Sequence, residues 1–144
     1  MIIELIGHYE EIIDRKDISE LLGTLLMNPS YGKIQNIAQG IYAKTQGRFY
    51  IASDSGQLVG LMGFSKIDNN KLVVRHMAVS SGYNRQKIAE AILTEAIKSE
   101  RVSIVTSEPG DEDVSFYKSY GFSVKKRVYD DAVGQKYDCV YTVN

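Results

Sequence analysis

The sequence predicts an α/β fold with a mixed, mostly antiparallel central sheet flanked by helices. From Arg48 to Val79 three strand-like stretches, "RFYIA", "QLVGLMGFSKI" and "KLVVRHMAV", are separated by the tight turns "SDSG" and "DNN". An amphipathic stretch then leads to a further apolar strand, "RVSIVT", which favours a parallel β-α-β unit with a right-handed crossover. With 144 residues and 44% hydrophobic composition, the chain has room for one compact core, so residues 1–144 are expected to form one domain.

One strand and two helices are predicted before these three strands. The segment "IIELI" is the strand. Apolar residues then recur at helical spacing behind Asp17 and Glu20, which are spaced like a capping box, and Asn28-Pro29 ends this helix. The same spacing returns as a second helix before Gly47. The apolar positions are Ile18, Leu21, Leu22, Leu25 and Leu26 in the first helix, and Ile34, Ile37, Ala38, Ile41 and Tyr42 in the second.

The remaining elements complete the order β-α-α-β-β-β-α-β-α-β-β. "DEDVSFYKSYGF" predicts a short helix closed by Gly121 as its C′ glycine. "SVKKRVY" and "KYDCVYTV", separated by "DDAVGQ", predict a terminal hairpin. The helix of the β-α-β unit has one apolar face, formed by Ile88, Ala89, Ile92, Leu93, Ala96 and Ile97.

Charge and cysteine content exclude several classes of protein. The net charge of -1 gives no global field toward nucleic acid or an anionic membrane, so neither partner is expected. Cys139 is the single cysteine, and with two distant histidines it makes no metal set. No apolar run reaches the roughly 18 residues of a membrane span, and the acidic start "MIIELIGHYEEII" is unlike a secretory signal. A cytoplasmic protein is expected, and homodimerisation is left open.

The element order, the strand ending "MAV", the segment "SSGYNRQKIA" and the later "FYKSYGF" together resemble the GNAT N-acetyltransferase superfamily. The resemblance implies direct transfer of an acetyl group from acetyl-CoA, as cosubstrate, to a primary amine on a small molecule or peptide. It also implies that the helix-start segment binds the pyrophosphate, that the backbone of the preceding strand bonds the pantetheine arm, and that a tyrosine protonates the leaving thiolate. Carried over by position, these are Asn84, Arg85, Gln86, Lys87, Ile88 and Ala89 for the pyrophosphate, Met77, Ala78 and Val79 for the arm, and Tyr117 for the acid.

The sequence departs from the family pattern in two places. The family's loop has Gln or Arg, two residues, Gly, one residue, then Gly or Ala, and here only Ala89 fits. Arg85 and Lys87 can instead attract phosphate by charge; the alternative is that they are merely solvated, although cations oppose the dipole of a helix start. Gly110 and Asp113 stand where the family often has asparagine and alanine before the tyrosine. The alternative for Tyr117 is a surface hydroxyl on a helix whose other aromatic residues form core.

An ammonium substrate must lose a proton before it attacks, so a base or a water path is needed. Glu108, at the carboxyl end of "RVSIVT", is the candidate we assign, and a solvated turn acid is its alternative. His76 has a suitable pKa, but strand alternation places it on the face of Val74 and Ala78 unless a bulge shifts the register, which favours a structural role. The nearby acidic residues either recognise a cationic amine or only supply favourable charge at the next helix start: Asp111, Glu112 and Asp113.

Two other functions are also compatible with the sequence. The departures at Asn84, Lys87 and Gly110 fit a non-catalytic, regulatory acyl-CoA-binding domain with a degenerate loop. An interaction domain without a CoA site is the third reading. The acceptor itself is hidden, because the segments expected to form its pocket carry no recognisable signature.

Overall fold

The computed structural model describes residues 1–128 and 134–144. Seven strands form one sheet in the order β1-β2-β3-β4-β5-β7-β6, in which β4 and β5 are parallel and all other neighbours are antiparallel. The predicted mixed, mostly antiparallel sheet is therefore confirmed. The strands are β1 (Ile2–Leu5), β2 (Gly47–Asp54), β3 (Gln57–Ile67), β4 (Lys71–Val79), β5 (Ile104–Ser107), β6 (Ser123–Lys126) and β7 (Tyr137–Thr142).

Helices cover both faces of the sheet. One apolar core lies between the sheet and the pair α4 and α5, and the other lies between the sheet and the N-terminal helices. A π-helical turn, Ala38–Tyr42, continues α3. None of the described helices has the length and apolar composition needed to cross a bilayer. The helices are α1 (Glu10–Asp14), α2 (Lys16–Gly23), α3 (Tyr31–Ile37), α4 (Arg85–Glu100) and α5 (Val114–Tyr120).

The N-terminal helices differ from the prediction in detail. The short α1 was not expected, because five residues are too few to show a helical period. The predicted capping box is wrong, because α2 starts at Lys16 and Asp17 lies inside the helix. The Asp17 side chain accepts a hydrogen bond from the Ile18 N–H at 2.8 Å and forms an ion pair with Arg15. The helix also ends earlier than expected, at Gly23. In the terminal hairpin β6 and β7 pair as predicted, whereas residues 129–133, which include most of the expected turn, lie outside the described part of the chain.

A β-bulge in β4 changes which side chains face which core. Gly63 of β3 pairs with His76, and the next residue, Phe64, pairs with Val74, so Arg75 is the extra residue. Val74 accordingly packs on the core of α4 and α5, while Ala78 packs on the core of the N-terminal helices. The prediction that Val74, His76 and Ala78 share one face is therefore wrong, because it assumed an unbroken alternation.

A buried carboxylate anchors the far end of α4. Glu100 is 8% exposed and accepts hydrogen bonds from Arg48 Nε at 3.0 Å, Lys66 Nζ at 3.2 Å and the Tyr50 hydroxyl at 2.5 Å. Burial opposes ionisation of Glu100, yet these three donors lower its pKa. The C-terminus of α4 is thus tied to β2 and β3, which fixes the direction in which its N-terminus points.

Candidate active site

A groove opens where β4 and β5 separate. The two strands pair only from Lys71 to Val73 on the β4 side, and beyond this point no strand among the described residues lies on that edge of β4. The groove has a volume of about 470 Å³. Its walls come from β4, from the segment after β5, from α5 and from Leu25 and Leu26 after α2. The carboxyl ends of two neighbouring parallel strands meet here, the position at which open α/β sheets bind ligands.

Tyr117 lies in the wall of this groove and is 2% exposed. It projects from α5, which ends at Gly121 in a left-handed conformation with φ of 119°, as predicted. The ring packs edge-on against Phe116 and Phe122 at centroid distances of 5.1 Å and 5.0 Å. Burial raises the pKa of Tyr117 to about 12, with a smaller opposing effect from the Ser107 hydroxyl beside it. The phenol therefore stays protonated at neutral pH and can donate a proton or a hydrogen bond.

The segment predicted to bind phosphate, residues 84–89, consists of the N-cap and the first helical turn of α4. Asn84 is the N-cap, and its side-chain oxygen accepts the Lys87 N–H at 2.9 Å. The Ile88 N–H donates to the Asn84 carbonyl at 3.1 Å. The first N–H groups of a helix have no partner within it, so the backbone donors of Arg85 and Gln86 remain for a ligand.

Side chains at this helix start divide into two groups. Lys87 is exposed, and Arg85 is exposed and ion-paired with Asp113, the N-cap residue of α5. Ile88 and Ala89 are buried in the core between the sheet and α4, so any contribution they make to binding comes from the backbone. The Arg85–Asp113 pair joins the start of α4 to the helix that carries Tyr117.

Met77, Ala78 and Val79 form the last part of β4, beside the groove. They pair with Met62, Leu61 and Gly60 of β3 on one side only. Because β5 has already diverged, the backbone groups on their other edge have no strand partner among the described residues. That edge can accept an extended ligand with amide groups, as an added strand would bind.

Glu108 is the first residue after β5 and lies at the mouth of the groove. Its side chain is 61% exposed and forms an ion pair with Arg127, which also bonds Asp138 at 2.6 Å. Of the other acidic residues considered, Asp113 lines the groove, while Asp111 accepts a hydrogen bond from the Tyr137 hydroxyl at 2.7 Å. The structure thus brings Glu108 and Tyr117 to one groove.

His76 also lines the groove, although the sequence pattern favoured a purely structural role for it. The bulge at Arg75 turns its ring toward Tyr42, whose hydroxyl lies 2.5 Å from Nδ1. Burial, helped by the charge of Arg75, lowers the pKa of His76 to about 4. Neither Tyr42, which was predicted only as an apolar helix position, nor Ser107 was predicted as a site residue, because no local pattern links residues that meet only through the sheet.

A sequence model described as the acetyltransferase (GNAT) domain matches residues 45–124, which include β2 to β5, α4 and α5. No curated protein sequence matches the chain.

Several solved structures share the fold over the full chain. The aminoglycoside 6'-N-acetyltransferase from Enterococcus faecium is 14% identical with a TM-score of 0.74, covering 100% of this chain and 98% of that one. The N-acetyltransferase PseH from Campylobacter jejuni, in complex with acetyl coenzyme A, is 11% identical with a TM-score of 0.71, covering 99% and 100%. Ard1 from Thermoplasma volcanium is 17% identical with a TM-score of 0.69, covering 100% and 99%. At these identities the likeness shows the fold alone.

Proposed function

Because this chain belongs to the GNAT acetyltransferase family, we propose that it transfers an acetyl group from acetyl-CoA directly to a primary amine. The observation that carries the proposal is the position of Tyr117. Its buried, protonated hydroxyl belongs to the groove at the β4–β5 divergence, and the helix that holds it is joined by an ion pair to the start of α4. An acid in the groove is thus linked, through the Arg85–Asp113 ion pair, to a helix start that can attract an anion.

The start of α4 would hold the pyrophosphate. The Arg85 and Gln86 N–H groups and the positive end of the helix dipole favour an anion there, and the Lys87 ammonium adds a mobile positive charge. Asn84, Ile88 and Ala89 shape the turn, Asn84 by capping it and the other two by packing beneath it. The free edge of Met77, Ala78 and Val79 would bond the amide groups of the pantetheine arm.

Acetyl-CoA supplies a thioester whose carbonyl carbon the amine attacks. A carbon–nitrogen bond forms, the carbon–sulfur bond breaks, and Tyr117 gives its proton to the departing sulfur. General acid catalysis of this kind typically contributes about 10²- to 10⁴-fold. The reaction needs no covalent link to the protein, and Cys139, although it pairs with Ser107 across the sheet, is buried in the core and does not line the groove.

We assign the base to Glu108, the carboxylate at the mouth of the groove. It would take the proton that the attacking ammonium loses. Arg127 pairs with the same carboxylate and competes for its oxygens, so proton transfer requires that this exposed ion pair open. Exposed pairs typically contribute only about 0–1 kcal/mol, so opening it is a small cost.

The acceptor is proposed only as a class. The Enterococcus faecium structure is an aminoglycoside N-acetyltransferase, and this supports an amine on a polar small molecule as the acceptor here. A peptide amine remains the other option. The expectations of a cytoplasmic location and of no nucleic-acid partner stay predictions, as does any homodimer.

One observation favours the non-catalytic alternative. The Lys87 N–H already donates to the Asn84 side chain, and the Arg85 guanidinium already pairs with Asp113. These two donors, which could bind phosphate, are therefore engaged within the protein. A regulatory domain that binds acyl-CoA weakly and turns nothing over would be consistent with this arrangement. It predicts CoA binding without acetylation of any amine in a broad panel.

A thermal melt with acetyl-CoA, followed by an amine panel, tests the proposal. A ligand that binds only the folded protein adds about 2.7 kcal/mol at a hundredfold excess over its dissociation constant, so the melting temperature should rise. ATP and NAD are the controls and should raise it much less. An unchanged melting temperature at millimolar acetyl-CoA contradicts the cosubstrate, and stabilisation without turnover favours the regulatory alternative.

A further inference from the structure

Three separate backbone features bring Tyr42 and His76 together. The π-helical turn that follows α3, closed by the Ala43 N–H to the Ala38 carbonyl at 2.8 Å, has Tyr42 as its last residue. Gly63 leaves the space that the Tyr42 hydroxyl occupies, since a Cβ there would overlap it. The bulge at Arg75 turns His76 to the same side. π-helical turns and β-bulges both occur often beside functional sites.

The Tyr42 hydroxyl fixes which nitrogen of His76 carries hydrogen. The hydroxyl is buried, and burial raises its pKa, so it keeps its hydrogen. His76 Nδ1, at 2.5 Å, is its single hydrogen-bond partner among the described residues. If Nδ1 carried a hydrogen and donated to the phenol oxygen, the phenol hydrogen would need a second acceptor. None is present in the described part of the chain, so Tyr42 donates to Nδ1, and the neutral ring holds its hydrogen on Nε2.

The other ring nitrogen of His76, Nε2, has no hydrogen-bond partner among the described residues. Every fully buried side-chain nitrogen and oxygen atom in that part of the chain does have a partner, so Nε2 is not fully buried. Nε2 is therefore the nitrogen of His76 that a ligand can reach, and the ring lines the same groove as Tyr117. Arg75, the charged neighbour on the same strand, disfavours a positive charge on the His76 ring.

We propose that Tyr42 is a positioning residue that holds His76 as a neutral Nε2–H donor, and that this donor binds an oxygen of the acceptor substrate. His76 is then not the base. The acceptor is an amine that carries a hydroxyl or carbonyl oxygen close to its amino group. The part of this inference that concerns the acceptor rests on the proposed function, because it takes the groove to be the acceptor site. The position of the hydrogen on the His76 ring does not depend on that function.

Nitrogen NMR of the His76 ring tests the first half without any substrate. In the wild type at pH 7, Nε2 should show the signal of a protonated ring nitrogen and Nδ1 that of an unprotonated acceptor. Tyr42→Phe keeps the aromatic ring but should let the hydrogen exchange between the two nitrogens. Tyr31→Phe, at an exposed tyrosine, is the matched control and should change nothing. Hydrogen on Nδ1, or a doubly protonated ring at pH 7, would overturn the inference.

Acceptor selectivity tests the second half. 2-Aminoethanol and propylamine differ by a hydroxyl in place of a methyl group, and the wild type should prefer the first in kcat/KM. One hydrogen bond to a neutral group corresponds to a preference of about two- to tenfold. His76→Leu should reduce the preference by this factor, leaving only what the lower basicity of 2-aminoethanol supplies, while His76→Gln, which retains an N–H donor, should keep part of it. An equal preference in the wild type and His76→Leu would overturn the inference.

The two proposals fail in different ways. A protein that acetylates no amine contradicts the proposed function. The inference is then decided by titrating 2-aminoethanol into the CoA-loaded protein while the Nε2 resonance is observed. A shift with 2-aminoethanol and none with propylamine supports the donor role, and an unchanged resonance overturns it.

Discussion

At the start of α4 the groups available to a ligand are backbone N–H donors and exposed charged side chains, whereas the groove beside α5 is lined by one buried tyrosine, Tyr117. Every residue type except proline supplies a backbone N–H, so the proposed phosphate site at the helix start should tolerate Asn84 and Lys87 where the family pattern has other residues. A proton donor must instead be one particular side chain held by packing, as Tyr117 is by Phe116 and Phe122. Binding at one end and chemistry at the other should therefore respond to mutation differently.

The largest effect is expected at the groove. Tyr117→Phe removes the hydroxyl that we propose as the proton donor while the ring and its packing remain, so kcat should fall by about 10²- to 10⁴-fold, with acetyl-CoA affinity nearly unchanged. Tyr120→Phe is the control, because its hydroxyl bonds Thr94 at 3.0 Å outside the groove and its loss should leave kcat unaltered. Steady-state kinetics and calorimetric titration separate the two quantities. Wild-type kcat in Tyr117→Phe, with chemistry limiting the rate, would contradict the role of the acid.

A smaller effect is expected at the helix start. Lys87→Glu places a negative charge at the proposed pyrophosphate site, and we expect roughly tenfold weaker acetyl-CoA binding at low salt, from two exposed charge interactions. The loss should shrink in 1 M salt, where the screening length is about 3 Å rather than about 10 Å at 0.1 M. Lys98→Glu makes the same charge change near the other end of α4 and should leave affinity almost unaffected. Equal losses in the two variants would place the phosphates elsewhere.

The smallest effect on binding is expected from the cap itself. Asn84→Ala should lower the free energy of unfolding by about 1 kcal/mol, because the Lys87 N–H loses its acceptor. The same change releases that N–H for phosphate, so acetyl-CoA affinity should stay constant or rise slightly. Ser30→Ala removes the equivalent cap of α3 and should cost similar stability with no effect on affinity. A clear loss of affinity in Asn84→Ala alone would mean that the Asn84 side chain binds the ligand directly.

The elements predicted correctly are those with a strong period or a clear turn. The strands β2 to β4 are predicted by their alternation and turns, and the helix α4 by its repeating apolar face. Gly121 marks the end of α5. The sequence does not indicate the bulge at Arg75, because β4 has apolar residues on both faces and a shift of one position still buries apolar side chains. Tyr42 fits a helical spacing whether the turn is α or π.

The site was predictable only in part for a related reason. Tyr117 and the start of α4 lie in contiguous motifs, so their positions could be carried over from the family pattern. The contact between Tyr42 and His76 joins residues 34 positions apart, through a gap left by Gly63. No local rule relates three such positions, and the pKa of His76 follows from that burial rather than from its neighbours in sequence.

Amide NMR of the wild-type protein during titration with acetyl-CoA tests the central claim most directly, that one ligand spans both ends of this site. The largest shifts should fall on the Arg85 and Gln86 N–H groups and on Met77 to Val79, with smaller changes around Tyr117. Shifts centred instead on the separate cavity between the β1–α1 connection and the start of β2, which His8, Lys44 and Arg48 line, would contradict the account.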